Sequence, residues 1–215
     1  GSLSERLEMV RAWIAESTPL YERECYERYY RALPDFRRKK ADALRSVEKK
    51  AQSVGVWALW AKICEEYGLP EGSAVNFSHS GKYVMCAAAD SKKVCVGCDL
   101  EKIGVFRENV AKRFFCPEEY ETIMKEKTED GRAQLFYRYW VLKESFMKAT
   151  GRGMALPANA FCIRLGEPPV LIRQPAEFSQ EHYYMEYKID AAPYKMAVCS
   201  TDKEIDVKLH MELKL

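Results

Sequence analysis

The sequence lacks a hydrophobic run long enough to cross a bilayer. Its longest clean apolar stretch, from Val54 to Ala61, is far shorter than the roughly 20 residues that a membrane-spanning helix needs. The first residues also lack the charged-then-apolar layout of a secretory signal. We therefore expect a cytoplasmic protein with no membrane association.

The sequence also has little net charge. Its 34 Lys and Arg residues against 32 Asp and Glu residues give a formal net charge of +2. Nucleic-acid-binding domains usually carry a strong basic excess, so we expect no nucleic acid partner. Apolar residues make up 47% and charged residues 31% of the 215 residues, which is typical of a folded globular chain.

No disulfide framework is evident in the sequence. The eight cysteines are scattered and mostly neighbour apolar residues, as buried free thiols do in a reducing compartment. Cys95 and Cys98 have the spacing of a zinc or redox pair, but no second Cys pair or nearby His pair accompanies them. We therefore expect free thiols and neither a zinc site nor a redox function.

Helix and strand signals alternate along the chain and indicate an α+β fold. The predicted helices span 20–33, 36–67, 105–115, 117–128 and 132–150, with Gly55 as a candidate break in the second. The predicted strands span 74–77, 83–89, 93–100, 161–165, 170–173, 182–189 and 194–200. The segment before Thr18 fits either helix or strand. Residues 83–87 and 194–198 share a Tyr-x-Met start, an echo too weak by itself to indicate a duplication.

An acidic pair ends the third predicted strand. Because side chains alternate along a strand, Asp99 and Glu101 lie on one face, with Cα atoms about 6.5–7 Å apart. Two carboxylates in this arrangement suit Mg²⁺, which takes oxygen ligands and is often shared with a substrate phosphate. The alternative is a solvated acidic edge, which is common on protein surfaces.

The last predicted helix places charged residues in a strongly apolar setting. Trp140, Glu144 and Lys148 are spaced by four and share one face, and Lys143 lies on the adjoining stripe. Glu144 could complete the metal site, and Lys148 could hold a phosphate or stabilise a leaving group. The alternative is an ordinary surface ion pair, but the surrounding aromatic residues indicate burial, and a buried charge needs a partner.

A polar turn is predicted between the first two strands. Ser78, His79 and Gly81 would form a compact loop able to donate hydrogen bonds to phosphate oxygens. A Ser–His nucleophile pair is a weaker alternative, because adjacent side chains rarely point at each other and no acidic residue to orient the imidazole is evident. A plain polar turn is the third interpretation.

A basic segment spans residues 35–50, where seven Lys and Arg residues outweigh three acids. Such a run is usually a solvated helix face. It could also bind a multiply charged nucleotide, since Lys and Arg are the usual phosphate ligands, or an acidic protein partner.

In combination these motifs resemble those of the 4′-phosphopantetheinyl transferases of the surfactin-synthetase-activating type. The Asp-x-Glu, Trp-x-x-Lys-Glu and Lys residues occur in the order typical of that family, and the resemblance covers about residues 34–200. The segments that carry it are 76–81, 96–102, 111–115, 136–153 and 193–199.

The resemblance implies a fold of two similar α+β halves related by a pseudo-twofold axis. The halves would be residues 1–92 and 93–215, with the boundary near 90–93. The opening segment from Leu7 to Ile14 would then be a strand. The shared Tyr-x-Met start would reflect equivalent strands in the two halves. This pseudo-dimeric architecture predicts a monomer.

The resemblance also implies the reaction. The enzyme would transfer the phosphopantetheine arm of coenzyme A to a serine of an acyl or peptidyl carrier protein, releasing adenosine 3′,5′-bisphosphate. Asp99, Glu101 and Glu144 match the family's ligands for Mg²⁺, for which Mn²⁺ could substitute. One of these acids would deprotonate the serine, with Glu144 the first candidate and Glu101 the second. Lys148 would stabilise the leaving oxygen.

Further residues match positions that bind coenzyme A in the family. Arg37 and Lys40 would contact its 3′-phosphate. The full predicted set is Arg37, Lys40, Ser53, Ser78, His79, Lys143 and Lys148. The carrier protein would dock on apolar residues around 106–120, where Arg107, Lys112 and Arg113 could attract an acidic partner.

Three departures from the family are visible. Gln52-Ser53 replaces an Arg-Thr or Arg-Ser pair, so one nucleotide contact loses its charge, and Lys49 stands where an acid is common. The Gly-Lys-Pro segment that precedes the Asn-x-Ser-His-Ser motif in the family is absent, which predicts weaker or differently arranged adenine binding.

A non-catalytic relative that binds coenzyme A or docks carrier proteins is the alternative function. It would be expected to lack an acid of the metal site or the leaving-group lysine, and this chain keeps Asp99, Glu101, Glu144 and Lys148. The sequence leaves open whether the carrier belongs to fatty-acid, polyketide or nonribosomal peptide synthesis.

Overall fold

Nine strands and six α-helices form the part of the chain that the computed structural model describes, residues 9–190 and 192–215. The strands are β1 (Val10–Glu16), β2 (Ala74–Ser80), β3 (Tyr83–Ala89), β4 (Val96–Lys102), β5 (Cys162–Arg164), β6 (Val170–Arg173), β7 (Tyr183–Tyr187), β8 (Tyr194–Ser200) and β9 (Ile205–His210). The helices are α1 (Arg23–Arg31), α2 (Asp35–Asp42), α3 (Val47–Tyr67), α4 (Glu108–Phe114), α5 (Pro117–Met124) and α6 (Glu129–Ala149). None of these helices is long and apolar enough to cross a membrane.

The same topology occurs twice along the chain. With shorter elements between them, a strand, a long helix and two antiparallel strands occur in the order β1–α3–β2–β3 and again in the order β4–α6–β7–β8. In each sheet the last of these strands lies in the middle, in the orders β2-β3-β1 and β7-β8-β4, and pairs antiparallel with both neighbours. This repetition confirms the α+β fold of two similar halves.

The weak sequence echo coincides with this repetition. Tyr83 and Met85 lie in β3, and Tyr194 and Met196 lie in β8, the equivalent strand of the second sheet. The two tyrosine rings meet edge to face, with centroids 5.0 Å apart. The predicted boundary near residues 90–93 falls in the connection from β3 to β4, and the division at that point stays a prediction.

Several predicted element boundaries are wrong. The predicted helix 36–67 is two helices, and it breaks at residues 43–46 rather than at Gly55. Ser46 caps α3 by accepting a hydrogen bond from the Lys49 N–H at 3.1 Å, while Gly55 lies buried within the helix. The predicted strand at the opening of the chain is confirmed but runs from Val10 to Glu16, and residues 7 and 8 of the predicted range lie outside the described part.

Two further features were not predicted. The last strand, β9, pairs parallel with β1 and extends the first sheet. A disulfide joins Cys116, which caps α5, to Cys162 in β5, with Cα atoms 5.9 Å apart. The expectation that all eight cysteines are free thiols is therefore wrong for these two, which are 46 positions apart and meet only through the tertiary fold.

The two halves meet where β2 lies beside β4. Alternate side chains of β2 accept hydrogen bonds from alternate backbone N–H groups of β4, at 2.9 to 3.0 Å. The pairs are Asn76 with Cys98, Ser78 with Leu100, and Ser80 with Lys102. The segment predicted as a polar loop is therefore a strand as far as Ser80, and the chain turns at Gly81, whose φ is 55°.

Helix α6 crosses β4 at very close range because Gly97 has no side chain. A Cβ at this position would overlap the carbonyl oxygen of Ser145 and lie 2.6 Å from the amide nitrogen of Ala149. Both neighbours are helix backbone and cannot move aside independently. The glycine thus sets the distance between the strand that carries Asp99 and the helix that carries Lys148.

The variant Gly97→Ala is expected to lower the free energy of unfolding by about 1–3 kcal/mol, the usual cost of overpacking a core. Urea denaturation followed by circular dichroism would measure the loss. The control is Gly55→Ala, where the nearest atom to the new Cβ is a flexible side-chain atom of Leu215 at 3.3 Å. Equal stability of the two variants would contradict the close-packing argument.

Candidate functional site

A lysine and an aspartate form the centre of the site. The Lys148 ammonium, on the last turn of α6, donates hydrogen bonds to Asp99 Oδ1 at 3.2 Å and to the carbonyl oxygens of Cys98 and Phe77 at 2.9 and 3.2 Å. Ser78 also donates to Asp99 Oδ1, at 3.3 Å. One cation thus links α6 to both β4 and β2.

The second oxygen of Asp99 is buried and lacks a hydrogen-bond partner among the described residues. Burial raises the pKa of Asp99 to about 7, an effect that Lys148 opposes and that the Glu144 and Glu101 carboxylates reinforce. A buried carboxylate oxygen without a donor is costly, so the site favours a further positive charge at this oxygen.

Glu101 and Glu144 flank this centre. Glu101 follows Asp99 by two residues on β4, and Glu144 lies one helical turn before Lys148 on α6. Burial raises the pKa of both side chains; the Glu144 carboxylate raises that of Glu101 further, and Lys148 opposes the shift in each. The structure thus brings the three predicted acids and Lys148 into one electrostatic group.

A divalent cation fits this donor set, because carboxylate oxygens are its preferred ligands and Asp99 offers a buried oxygen with no partner. The oxygens of the three acids do not all lie within 4.8 Å of one another. Across residues 9–190 and 192–215, the one group of three or more metal-binding side chains that meets this limit is Cys116, Glu118 and Cys162. Two of its members form the disulfide.

Three basic side chains lie close enough to His79 to affect its ionisation. Burial lowers the pKa of His79, and the charges of three nearby cations lower it further. In order of effect these cations are Lys148 of α6, and Lys40 and Arg37 of α2. The predicted phosphate-binding residues His79, Lys40, Arg37 and Lys148 therefore share one region of positive potential.

Arg37 is buried although it carries a charge, with 7% of its surface exposed. Its guanidinium donates to the backbone oxygen of Ser53 at 2.7 Å and lies near the Ser53 hydroxyl at 3.5 Å. The Nε atom is buried with no partner among the described residues. Ser53 thus orients Arg37 and leaves its Nε–H without a partner.

Ser78 has structural contacts on both sides. Its hydroxyl accepts the Leu100 N–H at 3.0 Å while donating to Asp99. The side chain is 6% exposed. Ser78 therefore holds Asp99 in place, whereas the sequence predicted only a phosphate contact for it.

Lys143 is not brought to this group. Its ammonium binds Glu119 at 2.7 Å and the Phe161 carbonyl oxygen at 2.8 Å, and the residue is 1% exposed. The predicted phosphate contact is therefore left out of the site proposed below. The sequence indicated that a charge in so apolar a helix needs a partner, but it did not identify that partner as Glu119 in the first turn of α5.

A family model and two curated relatives that match this chain carry the same description. A family model described as the 4′-phosphopantetheinyl transferase superfamily matches residues 95–199. A 4′-phosphopantetheinyl transferase of Bacillus subtilis is 35% identical over 158 residues, which cover 69% of this chain and 68% of the relative. The 4′-phosphopantetheinyl transferase Sfp of Bacillus subtilis strain 168 is 34% identical over 152 residues, covering 68% of this chain and 66% of that protein. The chain thus spans about two thirds of the length of these curated relatives.

Solved structures match a smaller part of the chain. The holo-[acyl-carrier-protein] synthase of Thermotoga maritima is 20% identical, with a TM-score of 0.42, and the match covers 50% of this chain and 62% of that one. A holo-(acyl-carrier-protein) synthase of Bacillus anthracis, solved in complex with CoA (3′,5′-ADP), is 14% identical, with a TM-score of 0.42 and coverage of 50% and 95%.

Proposed function

The chain belongs to the 4′-phosphopantetheinyl transferase superfamily, and we propose that Asp99, Glu101, Glu144 and Lys148 form its active site. The enzyme transfers the phosphopantetheine arm of coenzyme A to a serine of a carrier protein. The observation that carries the assignment is the Lys148–Asp99 contact at 3.2 Å, beside a buried Asp99 oxygen that has no partner.

The three acids would hold Mg²⁺, or Mn²⁺ in its place. Asp99 supplies the buried oxygen, and the half-buried Glu101 and Glu144 supply the others. When bound, the cation supplies neutralisation of charge on the pyrophosphate of coenzyme A.

Two protein side chains act on the reacting atoms: one accepts the serine proton, and the other stabilises the leaving oxygen. The serine oxygen forms a bond to the phosphorus on the pantetheine side, and the bond from that phosphorus to the bridging oxygen breaks. The serine proton passes to Glu144, whose pKa burial raises toward that of a useful base. Glu101 is the alternative base. Lys148 donates to the departing oxygen of adenosine 3′,5′-bisphosphate, so the charge that develops there is met by a fixed cation.

Arg37, Lys40 and His79 would bind the remaining phosphate oxygens of coenzyme A. Their contribution is positioning, because phosphoryl transfer depends mainly on alignment and charge neutralisation. Arg37 suits this role because its guanidinium is already ordered by Ser53 and keeps an unused Nε donor.

The carrier protein would dock beside the site on α4 and the segment before it. Val105 and Phe114 are 80% and 42% exposed, and the same segment carries the exposed basic residues Arg107, Lys112 and Arg113. Phe106 is excluded from this surface because it packs against Phe136, with ring centroids 5.6 Å apart. We propose a monomer that acts in the cytoplasm.

The function is tested by measuring the intact mass of purified apo carrier proteins after incubation with this protein, coenzyme A and Mg²⁺. We expect a mass gain equal to one phosphopantetheine arm, and no gain when EDTA is present. Carriers from fatty-acid, polyketide and nonribosomal peptide synthesis should each be tried. No gain on any of them would favour a non-catalytic relative that binds coenzyme A.

A further inference from the structure

A cluster of aromatic side chains lies next to the phosphate-binding residues. The rings of Phe36 and Trp57 meet edge to face with centroids 5.4 Å apart, and Phe77 lies 5.9 Å from Trp57 and 6.0 Å from Trp60. Phe36 is 62% exposed, while the other three rings are partly buried behind it. Phe36 thus offers an exposed flat face whose edge-to-face contact with the partly buried Trp57 supports it from one side.

The cluster adjoins residues of the proposed phosphate site on three elements. Phe36 and Lys40 are one turn apart on α2 and share a face. On β2, Phe77 and His79 point to the same side of the strand, and the Phe77 carbonyl oxygen accepts from Lys148. The aromatic surface therefore continues directly into the proposed phosphate site.

Arg37 connects the two features. Its guanidinium carbon lies 5.2 Å from the centre of the Trp57 ring, and its Nε is the buried donor that lacks a partner. A ligand that binds here would meet a flat apolar ring and, within one helical turn, donors for a negatively charged group.

We infer that Phe36, supported by Trp57, stacks on the adenine base of coenzyme A. This inference rests on the proposed function, since it assumes that coenzyme A is the substrate. The base and the 3′-phosphate are attached to the same ribose, so they lie close together and match a ring and a cation one turn apart. The pantetheine arm is flexible and contains no flat ring, so it has no reason to prefer Phe36.

The test is the affinity for adenosine 3′,5′-bisphosphate, measured by isothermal titration calorimetry. The variant Phe36→Ala is expected to raise the Kd roughly tenfold, as loss of one base–aromatic stack does, whereas Phe36→Trp should keep the wild-type Kd. Inorganic pyrophosphate is the probe without a base, and the Phe36→Ala variant should bind it as the wild type does. Tyr21→Ala, which removes an exposed ring from the turn before α1, is the matched control.

Two results would overturn the inference. An unchanged Kd for adenosine 3′,5′-bisphosphate would exclude stacking on Phe36. Equal weakening for both probes would indicate that Phe36 acts on the phosphate site instead of the base. In either case the mass-gain assay could still succeed, so the transferase function would stand. The mass-gain assay could instead fail while Phe36→Ala still weakens binding of adenosine 3′,5′-bisphosphate alone. That result would reject the proposed transfer reaction and support the nucleotide subsite.

Discussion

Replacing Glu144 by Gln is expected to lower kcat by roughly two to four orders of magnitude, the usual contribution of a positioned general base. The amide keeps the size of the side chain but can neither accept the serine proton nor offer a carboxylate to the metal. Glu144 is half-buried on α6, and burial raises its pKa, so the substitution removes a group that the fold has already tuned. Initial rates of carrier-protein modification, at saturating coenzyme A, would measure the change.

The fold should survive this substitution, because no described hydrogen bond depends on the Glu144 side chain in the absence of ligand. The control is Glu65→Gln, an exposed glutamate on α3 whose turnover should match the wild type. Adenosine 3′,5′-bisphosphate should bind the Glu144→Gln variant with nearly unchanged affinity, since that ligand lacks the reacting phosphorus. Turnover close to that of the wild type would remove Glu144 from the active site and leave Glu101 as the candidate base.

The variant Lys143→Met is expected to lower the free energy of unfolding by about 3–5 kcal/mol, the cost of removing one partner of a buried ion pair. The Glu119 carboxylate would stay buried, at 0% exposure, without its cation. It would still accept the backbone N–H groups of Cys116 and Ile163, at 2.9 and 3.0 Å, so it could not turn out to solvent. Urea denaturation would measure the loss.

A double-mutant cycle separates the ion pair from the packing of the methylene chain. Adding Glu119→Gln to Lys143→Met removes the uncompensated charge, so the double variant should recover part of the lost stability. A single Lys143→Met variant within about 1 kcal/mol of the wild type would contradict a buried pair of this kind. The KM for coenzyme A should not change in the folded variant; a large increase would restore Lys143 as a phosphate contact.

Lys143 and Lys148 show what a helical spacing pattern can predict and what it cannot. Lys143 and Lys148 both lie on α6, and both matched phosphate-binding positions in the sequence. In the structure Lys148 reaches Asp99, while Lys143 points into the core toward Glu119. Spacing along a helix gives the face on which a residue lies, but it does not say which other element covers that face.

The polar motif of β2 illustrates the same limit. Its composition predicted a phosphate-binding loop, and His79 does lie among cations. Ser78 and Ser80 instead face β4 and accept its backbone N–H groups, because the segment is a strand and its side chains alternate. The pattern of alternate polar residues was present in the sequence, but it could be assigned to a strand only once its partner was known.

The sequence alone determined the class of fold and the family, and it predicted the acids and the lysine of the site, because these depend on local patterns and on motifs of fixed spacing. Strand alternation places Asp99 and Glu101 on one face, and helical periodicity places Glu144 and Lys148 on another. Tertiary structure decided everything that depends on contacts between distant segments. Those contacts include the disulfide from Cys116, the partner of Lys143 and the aromatic surface at Phe36. These contacts follow from how whole helices and strands pack, and a sequence alone contains no distances between residues on different elements.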